Sequence, residues 1–380
     1  MNKEVFISAG EPSGELYGAH LVRALRSVDP DIRVSGVGGE KMRAEGVRLL
    51  GEITGTFGLV EAVSSLKHLR DTMRSITSYL REERPSVVVL IDFPDFNFKV
   101  AKKAKAQGIP VLYYVSPQIW AWRSKRIHTM KKLCDRVAVI LPFEEEIYRR
   151  EGIPVEFVGH PIMEDVEQIK GSKEFLREEM GLSPERGVLA LLPGSRESEL
   201  KRMLPLYRQV LSLFKERYQA YQYILPLAEG VDEKRFNPEL SGLENEGVRI
   251  IRGNASKAMY VSDFGLITSG TATLQAALIG LPMVVVYKVF PLTYLIGRLI
   301  VDVKHISLVN ILAGEGVVRE LIQWDATAEN IMKELDRLIL DDHYRRYMLG
   351  VFDKIRQTYE GRNPSLRVAR IIKELMEEGR

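Results

Sequence analysis

Val87-Val88-Val89-Leu90-Ile91-Asp92-Phe93-Pro94-Asp95-Phe96-Asn97 is the stretch whose reading decides the fold. Five aliphatic residues in a row, without polar alternation, indicate a strand covered on both faces, as in a parallel sheet. The run closes on an acid, and a helical pattern follows over Phe98–Gln107. Strand then helix is half of a βαβ unit, and the same unit recurs on both sides. Strands are expected at Val5–Ala9, Arg33–Val37, Val87–Asp92, Val111–Val115, Val137–Leu141 and Val155–Val158. Helical patterns at Gly14–Val28, Leu59–Glu83 and Phe143–Glu151 fall between them. The alternation then restarts, with strands at Gly187–Leu192, Tyr223–Leu227, Val248–Ile251, Gly265–Thr268 and Met283–Tyr287. A polar stretch with Gly171 and Gly181 separates the two sets and reads as a linker over 160–185. The expected fold class is therefore α/β, two doubly wound Rossmann-like domains facing a cleft, followed by C-terminal helices. Their expected extents are 1–165, 166–350, and a last helix over 351–380 packing back on the first domain.

At 380 residues the chain suits two or three domains at about 100–200 residues each. With 45% hydrophobic and 28% charged residues it has a globular profile. A net charge of +3 argues against nucleic acid as a partner. The distribution is uneven, however: Asn97 to Arg136 holds ten Lys or Arg residues and one acid, Asp135. Such a face can attract phosphates or an anionic membrane surface. The single cysteine, Cys134, excludes an internal disulfide framework and reads as a buried small residue. Six scattered histidines show no metal-ligand spacing, so no metal is expected. The N-terminus lacks the apolar run of a secretory signal, and no segment reaches the ~20 apolar residues of a membrane span. Val284–Val289 reads as a strand and Leu292–Val303 as a short buried helix. A cytoplasmic location is expected, with any membrane contact peripheral.

In doubly wound sheets ligands bind beyond the carboxyl ends of the strands, so the loops there are the candidate sites. Ser8-Ala9-Gly10-Glu11-Pro12-Ser13-Gly14 follows the first strand, with Ser13 expected to cap the next helix. Glu11 is a candidate catalytic acid. Asp92 closes an apolar strand and could serve as a general base, while Asp95 is expected to cap the helix after it. In Tyr113-Tyr114-Val115-Ser116-Pro117-Gln118-Ile119-Trp120-Ala121-Trp122-Arg123, aromatic walls stand beside cations. Leu192-Pro193-Gly194-Ser195-Arg196 closes the first strand of the second half. Gly194 admits close backbone approach, Ser195 can cap, and Arg196 can grip a diphosphate. It lacks the spacing of a Walker loop. Ser269-Gly270-Thr271-Ala272-Thr273-Leu274-Gln275 offers a second anion cradle at a helix start.

Together these motifs resemble lipid-A-disaccharide synthases, of the GT-B superfamily. The match runs in order through AGEPSGE (9–15), GVGGEKMRAEG (36–46), IDFPDFN (91–97), YYVSPQIWAWR (113–123), LPFE (141–144), VGHP (158–161), LPGSR (192–196), SGTATLQ (269–275) and SLVNILAG (307–314). The resemblance implies a GT-B fold with an N-terminal acceptor- and lipid-binding domain and a C-terminal UDP-sugar-binding domain. It implies an inverting, metal-free hexosyltransferase that needs no cofactor. The implied donor is UDP-2,3-diacylglucosamine and the acceptor 2,3-diacylglucosamine 1-phosphate. The implied products are a β-1,6-linked lipid A disaccharide 1-phosphate and UDP. By position, Asp92 matches the candidate base, Arg196 the diphosphate-binding arginine and Asn310 an asparagine lining the nucleotide site. Ser195, Ser269, Gly270 and Thr271 fall in the UDP loops. Gln275 stands where the family commonly has Glu, so a ribose contact there would carry no charge.

Acylated substrates require an apolar entrance. The 59–76 helix, with Leu59, Val63, Leu66 and Leu69 at helical spacing beside basic residues, is expected at an anionic membrane together with basic residues 99–132. This helix with Met203 and Leu204 is expected to receive acyl chains, and Arg123, Lys125 or Arg126 to attract the acceptor 1-phosphate or anionic lipid. The resemblance implies peripheral association with the inner membrane of a Gram-negative cell, as a monomer or homodimer. Competing readings are another GT-B lipid glycosyltransferase, a UDP-sugar epimerase, or a non-catalytic nucleotide- or lipid-binding module.

Overall fold

Alternating strands and helices build one parallel sheet in each half of the chain. The structure is a computed structural model that describes residues 3–52, 62–300 and 303–378. In order, the first half comprises β1 (Glu4–Ala9), α1 (Pro12–Val28), β2 (Arg33–Gly38), α2 (Glu40–Ala44), β3 (Arg48–Glu52), α3 (Ala62–Glu82), β4 (Val87–Ile91), α4 (Pro94–Ala106), β5 (Val111–Tyr114), α5 (Arg126–Leu133), β6 (Arg136–Val139), α6 (Pro142–Arg150) and β7 (Val155–Phe157). The second begins with α7 (Ile162–Glu167) and α8 (Lys173–Glu179). It continues through β8 (Gly187–Leu192), α9 (Glu197–Arg217), β9 (Tyr221–Leu227), α10 (Asn237–Asn245), β10 (Val248–Arg252), α11 (Ala255–Val261), β11 (Phe264–Thr268), α12 (Thr271–Ile279) and β12 (Met283–Tyr287). It ends with α13 (Pro291–Ile300), α14 (Leu308–Ala313), β13 (Glu320–Ile322), α15 (Ala328–Leu340) and α16 (Asp342–Tyr359), before the last helix, α17 (Pro364–Glu378).

The first sheet has the order β3-β2-β1-β4-β5-β6-β7 and the second β10-β9-β8-β11-β12-β13. Strand order reverses between β1 and β4 in one, and between β8 and β11 in the other. These are the switch points where ligands bind such sheets. Every residue of β4 and β5 is buried, which explains their unbroken apolar sequences. Two of the four edge strands, β3 and β13, escape sequence reading. β3 carries charges and Gly51, and β13 has three residues, so neither shows the apolar run of a central strand. Helices α1, α4 and α6 start earlier than their apolar patterns, at Pro12, Pro94 and Pro142. The fixed φ of proline suits a first helical turn whose N–H groups need no partner.

One compact unit comprises Met1–Pro161 with Gly361–Arg380, and the other Ile162–Glu360. The first boundary lies before residue 165, and α16 belongs with the second unit, where it packs on α12, α14 and α15. The return therefore begins at Gly361 rather than 351. In the first unit α17 lies along α1, and Arg367 pairs with Glu156 and Arg136 with Glu374 at 3.0 Å. The stretch expected as a linker is largely ordered structure. Arg177 of α8 is buried and donates to Val261 O at 2.8 Å, Pro184 O at 2.9 Å and Asp263 Oδ2 at 2.8 Å. Burial pushes the Asp263 carboxyl up, but the Lys173 hydrogen bond, the Val188 amide and the nearby cations outweigh it and hold the pKa below the usual value.

Other expectations are revised by burial. Met203 and Leu204 are 0% and 1% exposed, inside the second core, and cannot receive acyl chains there. The short buried helix expected over Leu292–Val303 corresponds to α13 as far as Ile300, and its described side chains are not buried: Leu295 is 52% exposed, beside Phe290 at 59%. The membrane-facing expectation for residues 59–61, and for the side chains of 62–67, lies outside the described residues. Further along α3, Thr72, Ile76 and Leu80 face the core. Among the described residues no helix is long and apolar enough to cross a membrane. Burial pushes the Cys134 thiol well up, as expected of a packed rather than reactive cysteine.

Replacing Arg177 with Ala should leave the Val261 and Pro184 carbonyls without this donor and Asp263 with only Lys173 and the Val188 amide, and should cost about 3 kcal/mol of unfolding free energy. Urea denaturation measures this, and an unchanged midpoint would mean that α8 is not held by the pair.

Candidate active site

The first unit builds its site at the β1–β4 switch point. After Ala9 the chain turns through Gly10 into Glu11, the N-cap residue of α1, whose side chain makes no cap hydrogen bond. Ser13, expected as the cap, lies inside the first turn because Pro12 starts the helix. A Cβ on Gly10 would come within 2.3 Å of the Phe93 ring, so only glycine lets the two turns adjoin.

Asp92 and Phe93 both sit in the left-handed region, with φ of 47° and 46°. Each such residue costs about 1–3 kcal/mol, so the surroundings must over-determine the turn. Asn97 does much of this. It is 0% exposed, and its Nδ2 donates to Asp92 O at 2.7 Å and to Ile91 O at 3.2 Å. Its Oδ1 accepts from Ser8 Oγ of β1 at 2.6 Å. The Tyr113 hydroxyl adds a bond to Asp92 O at 2.8 Å. Burial, and secondarily the Asp92 charge, push the Tyr113 phenol well up, so it stays a donor. The half-buried Asp92 side chain is thereby fixed at the strand end. Asp95 is not a cap, because the helix has already started at Pro94. It is exposed and ion-paired with Arg123 at 3.2 Å and with Arg126.

Beyond β5, Val115 also has a positive φ, 60°, and its carbonyl accepts from Asp92 N at 3.3 Å. Trp122 lies 37% exposed, with the Arg123 and Arg126 guanidinium groups 4.4 and 5.4 Å from its ring centroid. Trp120 turns the other way, and its Nε1 donates to Glu144 Oε1 of α6 at 3.0 Å. Glu144 is 2% exposed, and burial pushes its carboxyl up to about 7 against the pull of the Trp120 and Leu141 donors. His160, after β7, is pushed down to about 3 by burial and stays neutral.

The second unit builds its site at the β8–β11 switch point. Gly194 has φ 99°, and Arg196, not Ser195, is the N-cap residue of α9. Glu199 folds back into this turn. Its Oε2 accepts from Ser195 N at 3.0 Å and Arg196 N at 3.2 Å, while Oε1 lies 3.4 Å from Arg196 Nη1. A carboxylate thus occupies the cradle read from the sequence, and the amides do converge on negative charge. On the neighbouring strand, Ser269, Gly270 and Thr271 lead into α12. Gly270 is exposed, and a Cβ there would meet nothing within 4 Å. Ser269 Oγ donates to Ile306 O at 3.2 Å. The buried Tyr207 hydroxyl bonds Leu192 O at 3.0 Å and Thr268 Oγ1 at 3.2 Å, tying the ends of β8 and β11.

Gln275 lies apart from these turns' backbone, with its Nε2 donating to Ser256 Oγ at 2.6 Å. Asn310 is buried, with its amide engaged inside the fold. Both N–H groups are spent on Val318 O and Glu320 Oε1, each at 2.9 Å, and its oxygen accepts from Val318 N. Its role is to hold α14 to β13. Glu320 gathers Ile306 N and Ser307 N as well, so the pair fixes the 306–307 segment that receives Ser269. Sequence reading missed Asn97, Tyr207, Glu144 and Glu320. Asn97 and Glu144 each stood within a quoted motif, but nothing local shows that the one reaches β1 or the other Trp120.

Two parallel Rossmann-like sheets, each with its candidate loops at the strand-order switch, define the GT-B class. Solved structures share this fold: the calicheamicin glycosyltransferase CalG4 (TM-score 0.63, 12% identity, 100% of this chain and 99% of that one), and UDP-GlcNAc 2-epimerase from Neisseria meningitidis bound to UDP-GlcNAc (TM-score 0.61, 15% identity, 99% and 100%). The chain belongs to the lipid-A-disaccharide synthetase family, whose model matches residues 5–368. Lipid-A-disaccharide synthase from Syntrophus aciditrophicus (strain SB) is 44% identical over 336 residues, 88% of each chain. This membership makes the chain a glycosyltransferase of lipid A disaccharide synthesis and disfavours a non-catalytic module.

Asn97→Ala should leave Ser8 and the Asp92 carbonyl short of partners and cost about 2–3 kcal/mol in chemical denaturation. An unchanged stability would deny the clamp. For Glu144 the fold favours the protonated form. Its stabilisation is full below about pH 4.5 and is lost as pH rises through about 7, on the order of 3 kcal/mol. Unfolding free energies across that window should therefore fall in the wild type relative to Glu144→Gln. Parallel curves would remove the shift.

Proposed function

We propose that the protein transfers 2,3-diacylglucosamine from UDP-2,3-diacylglucosamine to 2,3-diacylglucosamine 1-phosphate. Asp92 takes the proton from the acceptor 6-hydroxyl as that oxygen attacks the donor anomeric carbon. The bond from that carbon to UDP breaks, the configuration inverts, and the electron pair leaves on the diphosphate. Arg196 and the amides at Gly194, Ser195, Gly270 and Thr271, in the turns before α9 and after Ser269, offset the charge that develops there. No metal and no cofactor enters this scheme, since UDP leaves as part of a substrate. Gln275 is the ribose-side candidate, and Glu11 a second acid beside the turn that carries Asp92.

The observation that carries this reading is the strained, clamped turn at Asp92. Strain held in place by three buried partners is characteristic of groups whose position serves chemistry. The carboxylate of Glu199 in the Arg196 turn supports anion binding there, and the diphosphate would displace it. For the acceptor, the Trp122 ring with Arg123 and Arg126 supports a phosphate contact. Lys99, Lys102, Lys103, Lys131 and Lys132 are exposed on the packed pair α4 and α5, which supports peripheral attraction to an anionic inner membrane from the cytoplasmic side.

Asp92→Ala should abolish disaccharide formation, by at least about 100-fold, while UDP affinity stays within twofold. Arg196→Ala should do the reverse first, weakening UDP at least about tenfold by calorimetry. An Asp92→Ala rate near wild type would remove Asp92 as the base.

A further inference from the structure

We infer that Glu144 is a positioning residue for the acceptor, acting through Trp120 on the Trp122–Arg123–Arg126 platform. This rests on the reading of that platform as the acceptor phosphate contact.

The loop 115–125 is fastened at one side to the turn bearing Asp92. Asp92 N donates to Val115 O at 3.3 Å, and Asp95 pairs with Arg123 and Arg126. Its apex has a separate anchor. Trp120 Nε1 donates to Glu144 Oε1 at 3.0 Å, and the Trp120 ring stands edge-on to Phe143, with centroids 5.1 Å apart. The other carboxylate oxygen, Oε2, accepts from Leu141 N at 3.2 Å at the start of α6. One buried carboxyl group thus joins the loop after β5 to the helix after β6. Only Ala121 separates Trp120 from Trp122, and Arg123 follows with φ 54°. A rotation at Trp120 therefore re-aims the platform directly.

A carboxyl group is a costly way to fill a core. Burial penalises its charge, and an apolar residue of similar volume is often neutral or better for stability. What the carboxyl supplies here is two directed acceptors, one for an indole and one for a helix-start amide. The loop has no regular structure of its own to hold its aromatic side chains, so such directional bonds set their orientation.

The test uses the full chain and steady-state kinetics with both substrates varied. Glu144→Ala should raise the acceptor KM about tenfold, the worth of one directed hydrogen bond, with donor KM and UDP affinity unchanged. Glu144→Gln keeps an acceptor for Trp120 and should recover most of the loss. Trp120→Phe removes the N–H while keeping Glu144 and its bond to Leu141 N, should reproduce the acceptor KM shift, and should add nothing to Glu144→Ala in the double variant. An acceptor KM within twofold of wild type in both Glu144→Ala and Trp120→Phe overturns the inference, as does an equal rise in donor KM. The variant Arg123→Ala/Arg126→Ala separates the underlying reading. If it raises acceptor KM while the Glu144 and Trp120 variants do not, the platform stands and Glu144 has no positioning role. If Glu144→Ala acts while the arginine pair does not, the anchor is real and the platform is not the phosphate contact.

Discussion

In each unit a buried polar side chain ties together the ends of the two strands between which the sheet order reverses. Asn97 joins β1 to β4 through Ser8 Oγ and the Ile91 and Asp92 carbonyls. Tyr207 joins β8 to β11 through Leu192 O and Thr268 Oγ1. The constraint behind both is the same. Strands that diverge into separate loops leave terminal backbone groups without ladder partners, and a buried group left unpaired is expensive. A helix returning over the sheet brings a side chain back to satisfy them. The same bonds fix the loops in which the candidate groups sit.

The first unit uses this rigidity to hold strain. Three non-glycine residues with positive φ, Asp92, Phe93 and Val115, cluster at the ends of adjacent strands. A loop free to relax would leave those conformations. Here the Asn97 amide, the Tyr113 hydroxyl and the packing of Phe93 on Gly10 keep them occupied. The second unit has little strain of this kind at its switch point and relies on exposed backbone instead. There Glu199 seats a carboxylate among amides, and the Asn310–Glu320 network holds the segment behind Ser269. A base needs an exact direction, whereas a spread diphosphate charge needs converging donors, and the two turns differ accordingly.

Electrostatics inside the second unit follow a common pattern. Arg177 with Asp263, and Glu320 with its amide and hydroxyl donors, are charged groups whose bonding capacity is largely used within the framework. The exposed cations of α4 and α5 are a different population. Their charge is screened at physiological salt and acts at range only on dense anions such as phosphate surfaces.

The sequence by itself determined the parallel sheets, the order of the central strands' chemistry, and the loops that carry Asp92, Arg196 and Ser269. Apolar runs and helix-start residues are local signals, and they survive any arrangement of the rest. Edge strands β3 and β13, the docking of α8, the burial of Met203, and the framework role of Asn310 were decided only by tertiary structure. Each depends on a partner far along the chain: Arg177 on Asp263, Asn97 on Ser8, Tyr207 on Thr268, Trp120 on Glu144. A hydrogen bond is selected by where its second atom lies in space, and residue order records that position only after the chain has folded.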